Sequence, residues 1–142
     1  MGETIRGSRW MFPAIESAHL LAQGLLMGTV LIVNLRFFGL GMRRTPAHRV
    51  AAQLEPLTLG AVCASLVSGS LMFSADPQKF AGDGAFPYKL GVLGVAILFQ
   101  CTLHRRATRI PAGPLSARAA AAIALTLWIA VAVLGRAIGV FV

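Results

Sequence analysis

The sequence predicts an all-α membrane protein, a four-helix bundle running up and down through the bilayer. Three observations carry that expectation. Hydrophobic residues make up 56% of the 142 positions and charged residues only 13%, where a soluble domain carries about a quarter charged residues. Four apolar stretches recur along the chain, and a helix needs about 20 apolar residues to cross a hydrocarbon core of roughly 30 Å. The segments between them are short, so neighbours in sequence are expected to be antiparallel neighbours in space. A mean hydropathy of +0.73 agrees. The length suits one domain, residues 1–142.

The first helix is expected over about 10–42. A signal peptide would have an apolar run of about 7–15 residues and a small-residue cleavage site. This run is about twice as long, begins with Glu16 and His19, and ends in Asn34 and Arg36 without such a site, so it reads as a retained helix. The second helix is expected over 46–75. Thr45 reads as its N-cap and Pro46 as its first residue, while Pro56 is expected to kink it. In this helix Gly60, Ala64 and Ser68 recur every four residues, as do Ala61, Ser65 and Gly69, a spacing that lets helices approach closely in lipid. The third helix is expected over 86–104, after an outer loop marked by Gly82-Asp83-Gly84 and Pro87. Pro111-Ala112-Gly113-Pro114 separates it from the fourth, expected over 118–142.

Orientation follows from Lys and Arg. The first loop carries Arg43, Arg44 and Arg49, with Arg36 just before it, and the third carries Arg105, Arg106, Arg109 and Arg118. The other side has Arg6, Arg9, Lys79 and Lys89, diluted by Asp76 and Asp83. Cytoplasmic loops hold the excess of basic residues, so both termini are expected on the non-cytoplasmic side of an inner (plasma) membrane. The net charge of +8 sits in these short blocks, with no basic face interleaved with aromatics, which argues against nucleic acid as a partner. Cys63 and Cys101 lie inside apolar stretches, in no C-x-x-C or finger spacing, and read as small hydrophobes.

Ionisable side chains inside a membrane are costly and normally face protein. At 100° per residue, Glu16, Gln23 and Asn34 fall within about 20° of one line, and His19 is one turn along that face. Lys89, Leu93, Ala96, Gln100 and His104 share a sector of about 80° on the third helix. Sorted by depth, these give an outer cluster of Glu16, His19, Gln23, Ser68, Met72, Lys89 and Arg136, and an inner one of Asn34, Glu55, Gln100, His104 and His48. Glu16 is the one acid expected within reach of Lys89 or Arg136, and such a pair would neutralise both charges; it would equally serve to pin helices together.

The histidines suggest a b-type haem. His19 and His104 differ in depth by about 15 Å at 1.5 Å per residue, too far to share one iron. A haem would therefore use His19 with Met72, as His/Met ligation allows, or His104 with His48. His19 and His104 are the metal-ligand candidates, and copper on His19, Met27 and Met72 is a weaker possibility. No G-x-S-x-G, H-E-x-x-H, P-loop or Rossmann fingerprint is present, so an enzyme acting alone is not expected.

Glu16-Ser17-Ala18-His19 opening the first helix resembles a family of small bacterial four-helix membrane proteins whose function is uncharacterised. So do Asn34-Leu35-Arg36 closing that helix, Phe86-Pro87-Tyr88-Lys89-Leu90 opening the third, and His104 ending it. In that family the position of Asn34 is more often an aspartate. More distantly, the chain is similar to cytochrome b561-type and copper-resistance membrane domains. The resemblance implies that Glu16, His19, Lys89 and His104 are the positions to test first. The expected function is a membrane subunit or module associated with redox chemistry and electron transport, with haem b or a quinone bound by Glu16, His19, Met72, Lys89 or His104. The alternatives are a structural accessory subunit of a larger membrane complex and a small proton or metal transporter.

Overall fold

The computed structural model describes the backbone of residues 7–41, 44–82, 84–109 and 114–140, with the side chains of 79–81, 85, 103–109, 114 and 137–140 outside that description. The described residues form helices α1 (Met11–Phe37), α2 (Ala47–Ala75), a short α3 (Pro77–Gly82), α4 (Ala85–Arg109) and α5 (Pro114–Val140), with no strand among them. Three helices hold segments long and apolar enough to cross a membrane: Met11–Phe37, Ala47–Ala75 and Leu115–Arg136. The apolar part of α4, Phe86–Thr102, covers about 26 Å at 1.5 Å per residue, just short of a ~30 Å core. Apolar helices of this kind place the chain in lipid.

Several boundaries differ from expectation, each for a local reason. The first helix ends at Phe37 and not near Met42. The Leu40 N–H donates to the Leu35 carbonyl at 2.9 Å and the Gly39 N–H to that of Arg36 at 3.0 Å, with Gly39 at φ +83. That is a Schellman termination, in which glycine takes the left-handed conformation without a Cβ clash. The Arg36 Nε then donates to the Thr45 carbonyl at 2.7 Å, tying the loop back to the helix. Pro46 and not Thr45 is the N-cap of α2, with no side-chain cap bond. Pro56 lies inside α2, which continues unbroken to Ala75. The outer loop contains α3, which opens on Pro77, where a missing N–H costs nothing. α4 runs on to Arg109, five residues past His104, and α5 starts earlier, at Pro114. Of the Pro111–Pro114 run, positions 111–113 lie outside the described residues.

α1 packs along α2, α4 along α5, and α1 also lies against α5, whereas α2 and α4 form the loosest of these pairs. Leu26 and Val30 of α1, Ala61 of α2, Ala96 of α4, and Trp128 and Val131 of α5 meet in one buried cluster at the centre. Trp128 is its largest member, at 1% exposure. A second cluster, Val33 with Val50 and Ala51, closes the inner end of the α1–α2 hairpin. Small residues bring α2 close: Ala61, Ser65 and Ser68 are buried, whereas Gly60 and Ala64 of the parallel stripe are exposed. At the outer end the Phe73 and Phe86 rings stack at 5.3 Å and 10°, joining α2 to α4 where helix contact is otherwise sparse.

Lipid offers no hydrogen bonds, so each hydroxyl must be satisfied within the protein. Exposed Ser17, Ser70, Ser74, Thr102 and Thr126 each donate to the carbonyl four residues earlier on their own helix, at 2.6–2.9 Å. Back-bonded in this way, a polar residue faces hydrocarbon at little cost.

Candidate functional site

Ser68 breaks the pattern of the other hydroxyls. Its Oγ donates to the Ala64 carbonyl at 2.6 Å, but the same oxygen stands 2.8 Å from His19 Nδ1 across the α1–α2 interface. On the far side of the ring, the Gln23 amide nitrogen lies 3.3 Å from His19 Nε2. An amide nitrogen is only a donor, so Nε2 accepts and the ring proton resides on Nδ1. That assignment agrees with Ser68, whose own hydrogen is already given to Ala64, leaving the oxygen to accept from Nδ1. The result is a one-way chain: Gln23 donates to His19, His19 to Ser68, and Ser68 to the Ala64 carbonyl. The tautomer follows from the network and leaves the basic nitrogen of His19 under a long contact from Gln23.

His19 reaches this position because α2 presents glycine opposite it. A Cβ on Gly69 would stand 3.3 Å from His19 Cε1, so the ring packs directly on the α2 backbone. Lys89 is half-buried on α4. Its end lies against α5 at Gly135, where a Cβ would be 3.4 Å from both Cε and Nζ. Two glycines on two helices thus make room for two basic side chains of the outer set. The Phe73–Phe86 stack lies one turn outward of Gly69 and of Lys89 on their respective helices.

The structure brings together His19, Gln23 and Ser68 from the outer set, while Lys89 lies against Gly135 of α5. Glu16 is exposed, as is Arg136, and the expected ion pair of Glu16 with Lys89 or Arg136 is not present among the described residues. Glu16 sits only five residues into α1, about 8 Å from its start. Met72 is half-buried, one turn outward of Ser68 on α2. Among the described residues no group of three or more His, Cys, Asp and Glu could hold a metal ion; a haem needs only two axial ligands.

The inner set is dispersed. Asn34 is fully buried, with its amide donating to the Val30 carbonyl at 2.8 Å, while Oδ1 has no partner. Gln100 Oε1, Trp128 Nε1 and Ser65 Oγ are likewise buried without a partner. His48 is exposed, Glu55 half-buried, and the His104 side chain lies outside the described residues. Gly69, Gly135 and Trp128 were not singled out as site or core residues from sequence. The one signal for Gly69 was its place in the small-residue stripe beside Ser68.

Neither a curated protein nor a solved structure matches the chain. A family profile does match, over residues 1–141 and so nearly end to end. Its description, a family of unknown function, agrees with the resemblance to an uncharacterised family read from Glu16–His19, Asn34–Arg36, Phe86–Leu90 and His104. The chain belongs to the family of unknown function DUF6644.

Proposed function

We propose that this chain is a multi-pass module of a bacterial inner membrane associated with redox chemistry, and that its outer polar cluster holds a quinone headgroup. In this reading α4 is a fourth crossing. Its 25 residues extend about 37 Å, enough for the core once its polar ends reach the two interfaces. The Arg-bearing first and third connections face the cytoplasm and both termini lie on the far side.

The observation that carries the function is the direction of the hydrogen-bond chain. It leaves His19 Nε2 as an acceptor under only a long contact from the Gln23 amide, itself a donor, with Lys89 on α4 as a second donor of the outer set. A quinol hydroxyl requires an acceptor and a quinone carbonyl requires a donor, so one cluster serves both redox forms. The loose α2–α4 pair is the side from which a lipid-dissolved ligand would approach.

One observation favours a second reading, a b-type haem. An imidazole whose Nδ1–H is held by a second side chain is oriented to ligate metal through Nε2, which is what Ser68 does for His19. Met72 would be the other axial ligand.

The test is to purify the protein in mild detergent, extract it with organic solvent, and chromatograph the extract for quinone. The dithionite-reduced spectrum is recorded alongside. Roughly stoichiometric quinone, lost in His19→Ala, is the expected result. Sharp reduced α and β bands that vanish in His19→Ala would transfer the site to haem. Protein prepared from membranes rich in both, yet carrying neither, would sink both readings.

A further inference from the structure

We infer that the inner end of the bundle binds an anionic phospholipid, whose phosphate is held where Arg118 of α5 meets the connection between α1 and α2. The two inner connections are one-sided in charge. Residues 36–49 and 105–118 carry four arginines each, and no acidic residue occurs at 17–54 or 84–142. The apolar span of α5 runs from Leu115 to Arg136, so Arg118 stands one turn inside it, about 4.5 Å along the axis. Leu115, nearer the helix start, is 81% exposed. A guanidinium stays charged at any ordinary pH. An arginine so placed lays its stem along apolar surface and turns its head to the headgroup level. Here the head turns to the end of α1. Arg118 Nη2 stands 3.9 Å from where a Cβ on Gly39 would be, two residues past Phe37, the last residue of α1's own apolar span.

The backbone brings two further arginines to the same place. The Gly39 N–H donates to the Arg36 carbonyl at 3.0 Å. Arg36 Nε donates to the Thr45 carbonyl at 2.7 Å, which draws Arg44, the residue before Thr45, back toward the end of α1. Arg44 and Arg118 are exposed. A cation is favoured at a helix C-terminus, which accounts for the side of Arg118 turned to Gly39. The guanidinium is a planar fork of five donors, and the donors left over, with those of Arg44, fit the oxygens of a phosphate. Leu40, beside Gly39, is 57% exposed. With Leu115 it gives apolar surface next to the arginines, for which a phospholipid has acyl chains and a free phosphate has none. The charge of the lipid follows from the same residues. The ammonium of a zwitterionic headgroup would need an acid, and these connections have none. An anionic headgroup needs only the arginines, and basic pockets between membrane helices hold such headgroups.

The test titrates dioleoylphosphatidylglycerol into the full chain in a neutral detergent and follows the thermal unfolding midpoint. Dioleoylphosphatidylcholine and inorganic phosphate are titrated for comparison. Phosphatidylglycerol alone is expected to raise the midpoint. Arg118→Gln should need about fivefold more of it for the same rise, the factor one arginine supplies near an anionic surface, and Arg118→Lys should fall between. Each variant is compared with itself without lipid, so a lower starting stability does not enter. Arg9→Gln removes the same charge from an exposed position just before α1, at the other end of the bundle, and should titrate like the wild type. Equal weakening in Arg9→Gln and Arg118→Gln would reduce the effect to net charge and overturn the site. No rise with phosphatidylglycerol, or an equal rise with phosphatidylcholine or inorganic phosphate, overturns the anionic lipid.

Discussion

In the outer part of the bundle, His19, Ser68 and Gln23 satisfy one another across two helices, and each bond has a defined direction. Toward the centre and inner side, Asn34, Gln100 and Trp128 each keep a buried polar atom with no partner. Both regions are enclosed by the same apolar helices, so the contrast is one of organisation and not of solvent. The outer groups are preorganised: their mutual bonds hold the His19 ring in one orientation and direct its basic nitrogen to one place. The inner groups are isolated polar atoms in a packed core, where hydrocarbon supplies no substitute partner and a bound water is the ordinary remedy. Buried polarity therefore marks a site only where its members reach each other.

Substitutions at three positions break or sharpen this contrast. The largest effect is expected from Trp128→Ala, because the ring fills the centre where all four long helices meet. Truncating a buried aromatic of this size costs about 3–5 kcal/mol, measured as a drop in the thermal unfolding midpoint in detergent. Trp128→Phe, which deletes the unpartnered N–H but keeps a ring, should lose less than half of that. An equal loss in Trp128→Phe and Trp128→Ala would mean that the N–H and not the ring matters.

Gly69→Ala comes next. Its Cβ would meet His19 Cε1 at 3.3 Å, so the ring must shift from Ser68. The stability cost is expected near 1 kcal/mol, the net worth of one hydrogen bond, but co-purified quinone should fall as far as in His19→Ala. Full quinone content in this variant would show that the Ser68 bond does not organise the site. The smallest effect is expected from Asn34→Leu, which replaces a side chain carrying an orphaned oxygen with an apolar one of similar size. Such exchanges are close to neutral or stabilising, so the midpoint should stay within about 1 kcal/mol of the wild type or rise, and quinone content should not change. A fall of several kcal/mol would instead place Asn34 in a hydrogen-bonded network of its own.

Much of the fold was legible from hydropathy, since apolar runs of spanning length and short polar connections leave a chain few alternatives in lipid. Of the helical face expected for Glu16, His19, Gln23 and Asn34, the last three turn toward protein and Glu16 is exposed, since 100° per residue sets which positions align but not how far along the helix packing extends. Helix ends were less legible. The Schellman turn at Gly39 lies within residues as apolar as the helix before it, and composition does not register a change of backbone hand. Lateral contacts were the least legible. Lys89 was expected to meet Glu16, but the two lie on different helices and nothing in either helix's periodicity states how far each is rotated about its axis.

The sequence by itself determined that this is a helical membrane protein, which residues are intramembrane and polar, and which of them share a face, because these follow from transfer free energies and helix geometry. Only the tertiary structure decided that His19 bonds Ser68, that Lys89 lies against Gly135, and that Glu16 stays outside the cluster. In lipid nearly every face of a helix is apolar, so hydrophobicity does not choose which faces meet. That choice falls to close packing, and here two glycines on two helices, Gly69 and Gly135, leave the spaces that the two basic side chains occupy.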